Sequence, residues 1–204
     1  MASITSVILE AADPTAAQRF YTDAFGLDTQ VRVRAGETPT TGFRGFTLSL
    51  TVSQPATVNG LIDSALEAGA STVKPAKKSF WGYGGVVQAP DGALWKIASS
   101  AKKDTGPATR QIDQVVLLLG VEDMAASKQF YVGRGLVVGK SYGRKYTEFA
   151  TPPNSVKLAL YGRRALAKDA GVAPDGTGSH RLVIEGDGGP FTDPDGFVWE
   201  TASR

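Results

Sequence analysis

The sequence predicts an α+β fold in which two related halves each combine mixed β-sheet with helices. The first observation behind this prediction is a repeated opening motif. Asp13 and Asp123 each follow an apolar, β-rich run and precede a Phe-Tyr pair that ends in Tyr21 or Tyr131. The same interval separates the two aspartates and the two tyrosines, which indicates an internal duplication of a unit of about 100 residues.

A closing motif repeats in the same order. The segment 90–95, in which Pro-Asp-Gly precedes a tryptophan, recurs as 194–199 near the end of the chain. Between the two copies, residues 102–109 are polar and contain Gly and Pro, which is typical of a linker. These boundaries predict a first domain over residues 1–101 and a second over residues 110–204.

The first half opens with a strand that ends before Asp13, whose side chain is placed to cap a helix. Pro14 follows at the first helical position, and Gly26 is placed to end the helix in the left-handed conformation. The further elements predicted here are strands over 29–34 and 43–52, a helix over 58–68, and strands over 71–74, 85–89 and 94–98.

The second half repeats the opening strand over 114–119 and the Asp123-led helix, which Gly135 is placed to end. The further elements predicted here are strands over 137–141, 146–149 and 156–160, a polar loop that runs to Ser179, and strands over 180–185 and 198–202. No second helix is predicted in this half, so the two copies differ.

The composition argues against several classes of site and partner. The 204 residues include 22 Lys and Arg against 20 Asp and Glu, and no long basic stretch that would indicate a nucleic-acid partner. The absence of cysteine excludes disulfides and thiolate ligands, and a single histidine, His180, excludes sites that need two. No apolar run approaches the ~20 residues of a membrane span, and no signal sequence is visible. We therefore expect a cytoplasmic protein without a membrane partner.

The motifs together resemble the vicinal-oxygen-chelate superfamily, which contains glyoxalase, bleomycin-resistance proteins and extradiol dioxygenases. The resemblance rests on the Asp-led segments 13–27 and 123–136 and on the closing segments 80–95 and 193–200. It implies duplicated βαβββ modules, here two degenerate copies, whose curved mixed sheets form a glyoxalase-like cup. Such a cup holds a small molecule or a metal ion.

Each half departs from the superfamily pattern at a different place. The first half is short of two strands between Arg34 and Phe43. The second has only residues 186–192 where a second helix and its following strand would stand. Because these deletions are complementary, we predict that the halves complete one another, either within one chain or across a homodimer.

The resemblance places poor metal ligands in the first half. Metalloenzymes of the superfamily carry ligands on the first strand of each module and at two later carboxylate positions. The matching residues here are Ser6, Gly45 and Lys96. An ammonium group repels a cation and glycine donates no ligand, so no divalent ion is expected in this half.

In the second half the resemblance places Gln114, His180 and Glu200 at three of the four ligand positions. This donor set suits Ni²⁺, Zn²⁺, Fe²⁺ or Mn²⁺, with a water at the fourth position and Glu200 as the catalytic base. The alternative is that all three residues are structural. One histidine and one carboxylate make a weak site, so absence of a cofactor is the favoured interpretation, and extradiol dioxygenase chemistry is not expected.

Aromatic residues and arginines are the candidate ligand-binding groups. Their planar rings can sandwich an aromatic or conjugated molecule, and Arg44 or Arg181 can pair with an anionic group. The predicted ligand-binding residues are Phe80, Trp81, Tyr83, Tyr142, Tyr146, Tyr161 and Arg181.

Three functions are compatible with these residues. The favoured one is a glyoxalase/bleomycin-resistance-like protein that binds a small organic, aromatic molecule in a sheet-lined cup without a full metal site. The alternative is a divalent-metal-dependent lyase or isomerase of the glyoxalase type, so enzymatic activity is expected only if a metal binds. The third is a degenerate paralogue that only associates with partner proteins.

Overall fold

A computed structural model of the chain describes residues 2–202, which form four helices and fifteen strands. The first half contains β1 (Ile4–Ala11), α1 (Pro14–Phe25), β2 (Val31–Ala35), β3 (Thr40–Gly42), β4 (Phe46–Thr51), α2 (Pro55–Glu67), β5 (Ser71–Ser79), β6 (Gly82–Gln88) and β7 (Leu94–Ser99). The second half contains β8 (Gln114–Val121), α3 (Met124–Gly133), β9 (Val138–Ser141), β10 (Tyr146–Phe149), β11 (Lys157–Gly162), α4 (Arg163–Ala170), β12 (Gly176–Gly178), β13 (Leu182–Gly186), β14 (Phe191–Thr192) and β15 (Val198–Thr201).

The helix ends follow the predicted capping residues. The Asp13 carboxylate accepts a hydrogen bond from the Ala16 N–H at 2.9 Å, and Gly26 ends α1 with φ 69°. Helix α2 begins at Pro55, earlier than predicted, because proline fits the first helical position. The linker caps this helix, since the Asp104 carboxylate accepts from the Ala56 N–H at 2.6 Å.

Each large sheet contains strands from both halves. One sheet has the strand order β14-β15-β13-β1-β2, and the other has the order β5-β6-β7-β4-β8-β11-β10-β9. The halves meet where β1 pairs antiparallel with β13 and where β4 pairs antiparallel with β8. The predicted α+β class with mixed sheets is therefore confirmed, and the halves complete one another within a single chain.

A main hydrophobic core lies on one face of both sheets. It contains alternate residues of the strands, such as Leu9 in β1, Leu48 in β4 and Leu117 in β8. The fully buried Trp95 and Trp199, one from each closing motif, belong to the same core. The core is therefore continuous between the two halves.

The predicted polar loop before Ser179 was wrong over Arg163–Ala170, which form helix α4. Leu166, Ala167 and Ala170 recur at helical spacing and are buried, and Gly171 ends the helix with φ 85°. The prediction that the second half has no second helix was therefore wrong, although the segment 186–192 itself contains no helix. Within residues 2–202, no helix combines the length and the apolar character that crossing a bilayer requires.

Candidate functional site

Helix α4 covers the face of the eight-stranded sheet that is turned away from the main core. Leu94, Leu118 and Tyr161 point to this face, which we call the α4 face. Leu166, Ala167 and Ala170 of the helix pack there in a second hydrophobic cluster with Phe43 and Leu94. The helix contacts the central strands β4 and β8, so the chain itself occupies the middle of the surface to which the resemblance assigns a ligand.

Polar contacts hold both ends of α4. At its start, Arg163 donates to the Phe43 carbonyl at 2.9 Å and lies 5.3 Å from the centre of the Phe43 ring. At its end, the Asp169 carboxylate pairs with the Lys96 Nζ at 2.7 Å. The Lys74 Nζ donates to the Asp169 carbonyl at 2.8 Å. An internal carboxylate therefore pairs with Lys96, the residue that the resemblance placed at a ligand position.

A cavity of about 330 Å³ remains beside α4. It lies between the start of β4, the turn that joins β6 to β7, and the loop that follows α4. Its apolar wall includes Phe43, Leu94 and Val172, and its polar wall consists of Arg44, Gln88 and Asp175. A volume of this size and a mixed lining are typical of sites for small organic molecules.

Arg44 is the charged group best placed to meet a ligand in this cavity. Its Nη2 donates to the Asp91 carbonyl at 2.5 Å, and its other N–H groups make no hydrogen bond to protein within residues 2–202. Burial lowers the pKa of the Arg44 guanidinium, the Asp91 carboxylate opposes this effect, and the positive charge of Arg181 adds to it. A half-buried guanidinium with free donors can bind a carboxylate through two parallel hydrogen bonds.

His180 is held by backbone carbonyls. Its Nδ1 lies 2.5 Å from the Arg44 oxygen and its Nε2 lies 3.1 Å from the Asp195 oxygen. The imidazole stacks on Phe197 with the ring centres 3.9 Å apart. Gly45 permits this arrangement, because a Cβ at that position would lie 3.3 Å from the His180 ring. A metal ion at His180 would have to displace one of these carbonyl contacts.

The structure does not bring Gln114 and Glu200 together with His180. Gln114 begins β8 in the eight-stranded sheet, where its Nε2 donates to the Ser155 carbonyl at 2.7 Å. Glu200 lies on β15 in the five-stranded sheet, where Arg34 Nη1 contacts both of its carboxylate oxygens at 3.0 and 3.3 Å. The three predicted ligands therefore have three separate sets of partners.

The same arginine neutralises a second carboxylate on the five-stranded sheet. Arg34 Nη2 donates to Glu10 at 2.8 Å, so one guanidinium bridges Glu10 and Glu200. Within residues 2–202, no three His, Cys, Asp or Glu side chains are grouped so that they could hold a metal ion. The residues that the resemblance placed at ligand positions are paired with protein groups, and as arranged they do not fit a divalent ion in either sheet of the described chain.

Ser6, the other opening-strand position, also makes a polar contact within the five-stranded sheet. Its hydroxyl donates to Glu185, which pairs with Arg32 at 2.9 Å. The Ser6 and Glu185 side chains are buried, whereas the Arg32 side chain is half-exposed. This group is satisfied by protein contacts and does not line one of the larger cavities of the described chain.

The three tyrosines predicted for the second half lie together. The ring of Tyr146 is 6.1 Å from that of Tyr142 and 6.0 Å from that of Tyr161. Burial, followed by the hydrogen bond to Glu148, raises the pKa of Tyr146. Tyr161 packs against the cluster around α4, whereas Tyr142 is exposed. These three tyrosines therefore lie beside α4 and do not line the cavity beside Arg44.

The other predicted ligand-binding residues lie elsewhere. Phe80 and Trp81 form the turn of the β5–β6 hairpin and are exposed. The Tyr83 hydroxyl donates to Asn59 of α2 at 2.9 Å. Arg181 donates to the Thr38 carbonyl at 2.9 Å and lines a separate cavity beside α1. Trp81 and Tyr83 line one small cavity of about 150 Å³ together with Lys96, whereas Arg181 lies in a different one.

Sequence reasoning missed most of the cavity lining. Phe43, Leu94 and Val172 were assigned to strands or to a loop, and Arg44 was the one lining residue that had been considered as a partner for an anion. The helical spacing of Leu166, Ala167 and Ala170 between two glycines was the signal that could have revealed α4. Once α4 is located, the cavity beside its C-terminal end can be identified as a candidate ligand-binding site.

Comparison with known proteins supports the fold through structure alone. No protein-family model matches the chain, and no curated protein matches it. Glyoxalase I from Zea mays is 14% identical, with a TM-score of 0.62 over 98% of this chain and 91% of that chain. A glyoxalase/bleomycin resistance protein/dioxygenase family enzyme from Burkholderia phytofirmans PsJN is 21% identical and aligns with 48% of this chain and 98% of that chain, with a TM-score of 0.42. The similarity to the maize enzyme over nearly the whole chain shows that this protein has the glyoxalase I fold.

Proposed function

We propose that this protein binds a small organic anion with an apolar body in the cavity beside Arg44, and that it does so without a metal ion. The observation that carries the proposal is the half-buried Arg44, which lines a cavity with an apolar wall and whose guanidinium makes one hydrogen bond, to the Asp91 carbonyl. A carboxylate would pair with the guanidinium, while an aromatic or branched apolar group would contact Phe43 and Leu94.

The donor set argues for binding without a metal. Lys96 at a ligand position is an ammonium group paired with Asp169, and Glu200 is paired with Arg34. Gln114 and His180 both contact backbone carbonyls. The alternative of a metal-dependent lyase or isomerase needs Gln114, His180 and Glu200 in one place, and no observation in the structure favours it.

Binding of benzoate tests the proposal, with benzamide as the uncharged analogue. We expect calorimetry to show binding of benzoate and weaker binding of benzamide, because only the carboxylate forms a charge-assisted pair with Arg44. Arg44→Gln removes an interaction of about 1.5–3 kcal/mol, so benzoate affinity should fall by about tenfold to a hundredfold. Arg164→Gln is the matched control, because Arg164 is an exposed arginine on α4.

Two results would contradict the proposal. One is equal affinity of the folded wild-type protein for benzoate and benzamide, or no affinity for either. The other is unchanged benzoate binding in Arg44→Gln. Elemental analysis addresses the alternative, since a stoichiometric metal that is lost in Gln114→Ala or Glu200→Ala would favour the metal-dependent function.

A further inference from the structure

Two aromatic residues form the turn of the β5–β6 hairpin. Phe80 is 81% exposed and Trp81 is 83% exposed. Two-residue hairpin turns favour Asn, Asp and Gly, because those residues tolerate the backbone conformations that the turn needs. Here the unusual conformation falls on Gly82, with φ 137°, where a Cβ would lie 2.0 Å from the Ser99 oxygen. The turn therefore does not require aromatic side chains at Phe80 and Trp81.

The two rings also contribute nothing to the main core. They contact each other edge to face, with the ring centres 4.9 Å apart. The Lys102 Nζ lies 5.7 Å from the centre of the Phe80 ring. Neither residue belongs to a hydrophobic cluster of the described chain. Two large apolar side chains in solvent at the end of a hairpin indicate a contact surface.

Positive charge is concentrated around this turn. Residues 71–103 contain six lysines and one acidic residue, Asp91, which leaves sixteen basic and nineteen acidic residues elsewhere. The lysines are Lys74, Lys77, Lys78, Lys96, Lys102 and Lys103. Lys96 pairs with the Asp169 carboxylate and Lys74 donates to the Asp169 carbonyl, so Lys77, Lys78, Lys102 and Lys103 supply the charge at the tip. Lys77 and Lys78 are consecutive in β5, so they point to opposite faces of the hairpin. The rings thus form the apex, and ammonium groups stand behind it on both sides.

We infer that the hairpin tip, residues 77–83, binds the surface of an anionic lipid bilayer. Phe80 and Trp81 would enter the headgroup region, where aromatic side chains are favoured, and the lysines would pair with anionic headgroups. Single-stranded nucleic acid is a poorer fit, because stacking on a base needs an open ring face. Here the edge of one ring meets a face of the other and Lys102 lies over Phe80, which leaves fewer open faces on which a base could stack.

This inference does not depend on the cavity beside Arg44. The expectation of no membrane partner came from the lack of a spanning segment, and a contact made by a hairpin tip needs none. The interaction would be peripheral and reversible, because only two apolar side chains enter the bilayer.

Vesicle binding by the full chain tests the inference. We expect the protein to sediment with vesicles of equimolar phosphatidylcholine and phosphatidylserine, and not with phosphatidylcholine alone. Trp95 and Trp199 are buried, so a blue shift of the exposed-tryptophan emission would report entry of Trp81. Replacing both Phe80 and Trp81 by serine should abolish sedimentation. Lys77→Gln with Lys78→Gln should weaken it by about fivefold per lysine, whereas Lys145→Gln with Lys168→Gln is the exposed charge-matched control.

Three results would overturn the inference. The first is no sedimentation of the folded wild-type protein with anionic vesicles. The second is sedimentation that survives replacement of Phe80 and Trp81. The third is binding of a single-stranded oligonucleotide, with the same dependence on Trp81, by a protein that ignores the vesicles.

Discussion

Tyr21 and Tyr131 occupy equivalent positions in the two halves, and each ties its helix to the closing turn of its own half. The Tyr131 hydroxyl donates to Asp193 at 2.6 Å, and the Tyr21 hydroxyl donates to Asp91 at 2.6 Å. The residue that matches Asp193 in the first half is Ala89, so Asp91, two positions later, accepts the hydrogen bond there. The two tyrosines and their aspartate partners are thus structural contacts, whereas Gly92, Ala93 and Leu94 of the first closing motif also line the cavity beside Arg44.

The Asp193 carboxyl predicts a dependence of the free energy of unfolding on pH. Burial raises the pKa of its carboxyl above 3.8, while the Tyr131 hydrogen bond opposes that shift. The pKa of this carboxyl is therefore higher in the folded than in the unfolded state, and between the two pKa values the folded state binds more protons. The contribution of Asp193 to the free energy of unfolding therefore falls as pH rises through this range. In urea unfolding at a series of pH values, the stability of the wild type relative to Asp193→Asn should fall as pH rises above about 4.

Tyr131→Phe provides a second arm of that measurement. It removes a hydrogen bond that favours the ionised carboxylate, so the window in which stability falls should move to higher pH. A wild-type stability that rises relative to Asp193→Asn over the same range would contradict the assigned direction of the pKa shift.

At the scale of elements, α4 distinguishes this chain from an open cup. Leu166 is 1% exposed and lies in the cluster on the α4 face. Leu166→Ala should lower the free energy of unfolding by about 2–5 kcal/mol, because it leaves a cavity under the helix. Leu66→Ala on α2 is the control, since Leu66 is 37% exposed and its truncation should have a smaller effect. Equal effects in chemical unfolding would show that α4 is not packed as described.

The sequence predicted the strongly periodic elements and missed short ones whose apolar pattern is weak. Helix α1 has clear capping residues, and strands β4, β7 and β8 have clear apolar patterns. Helix α4 is short and half charged, so its buried stripe was obscured. Phe80 and Trp81 were predicted to line a cup because a sequence shows that residues are aromatic but not which way a hairpin turn points.

For the whole molecule, complementary deletions predicted that the halves complete each other, but not how. The choice between one chain and a dimer depends on whether β1 reaches β13 and β4 reaches β8, which only the three-dimensional path of the chain decides. The predicted metal ligands failed to meet for the same reason. Gln114 belongs to one sheet and Glu200 to the other, although the two residues lie in the same half of the sequence.

Within residues 2–202, neither half has a sheet of its own. Unfolding followed by tryptophan fluorescence tests this arrangement in two variants. One variant retains only Trp95 and the other retains only Trp199, with the remaining tryptophans replaced by phenylalanine. Both residues are buried in the shared core. In each variant, the fluorescence transition in urea should coincide with the circular dichroism transition of the whole chain, because both sheets must be lost together. A tryptophan signal that changes before the rest of the chain unfolds would show that the halves fold separately and would contradict the interlocked fold.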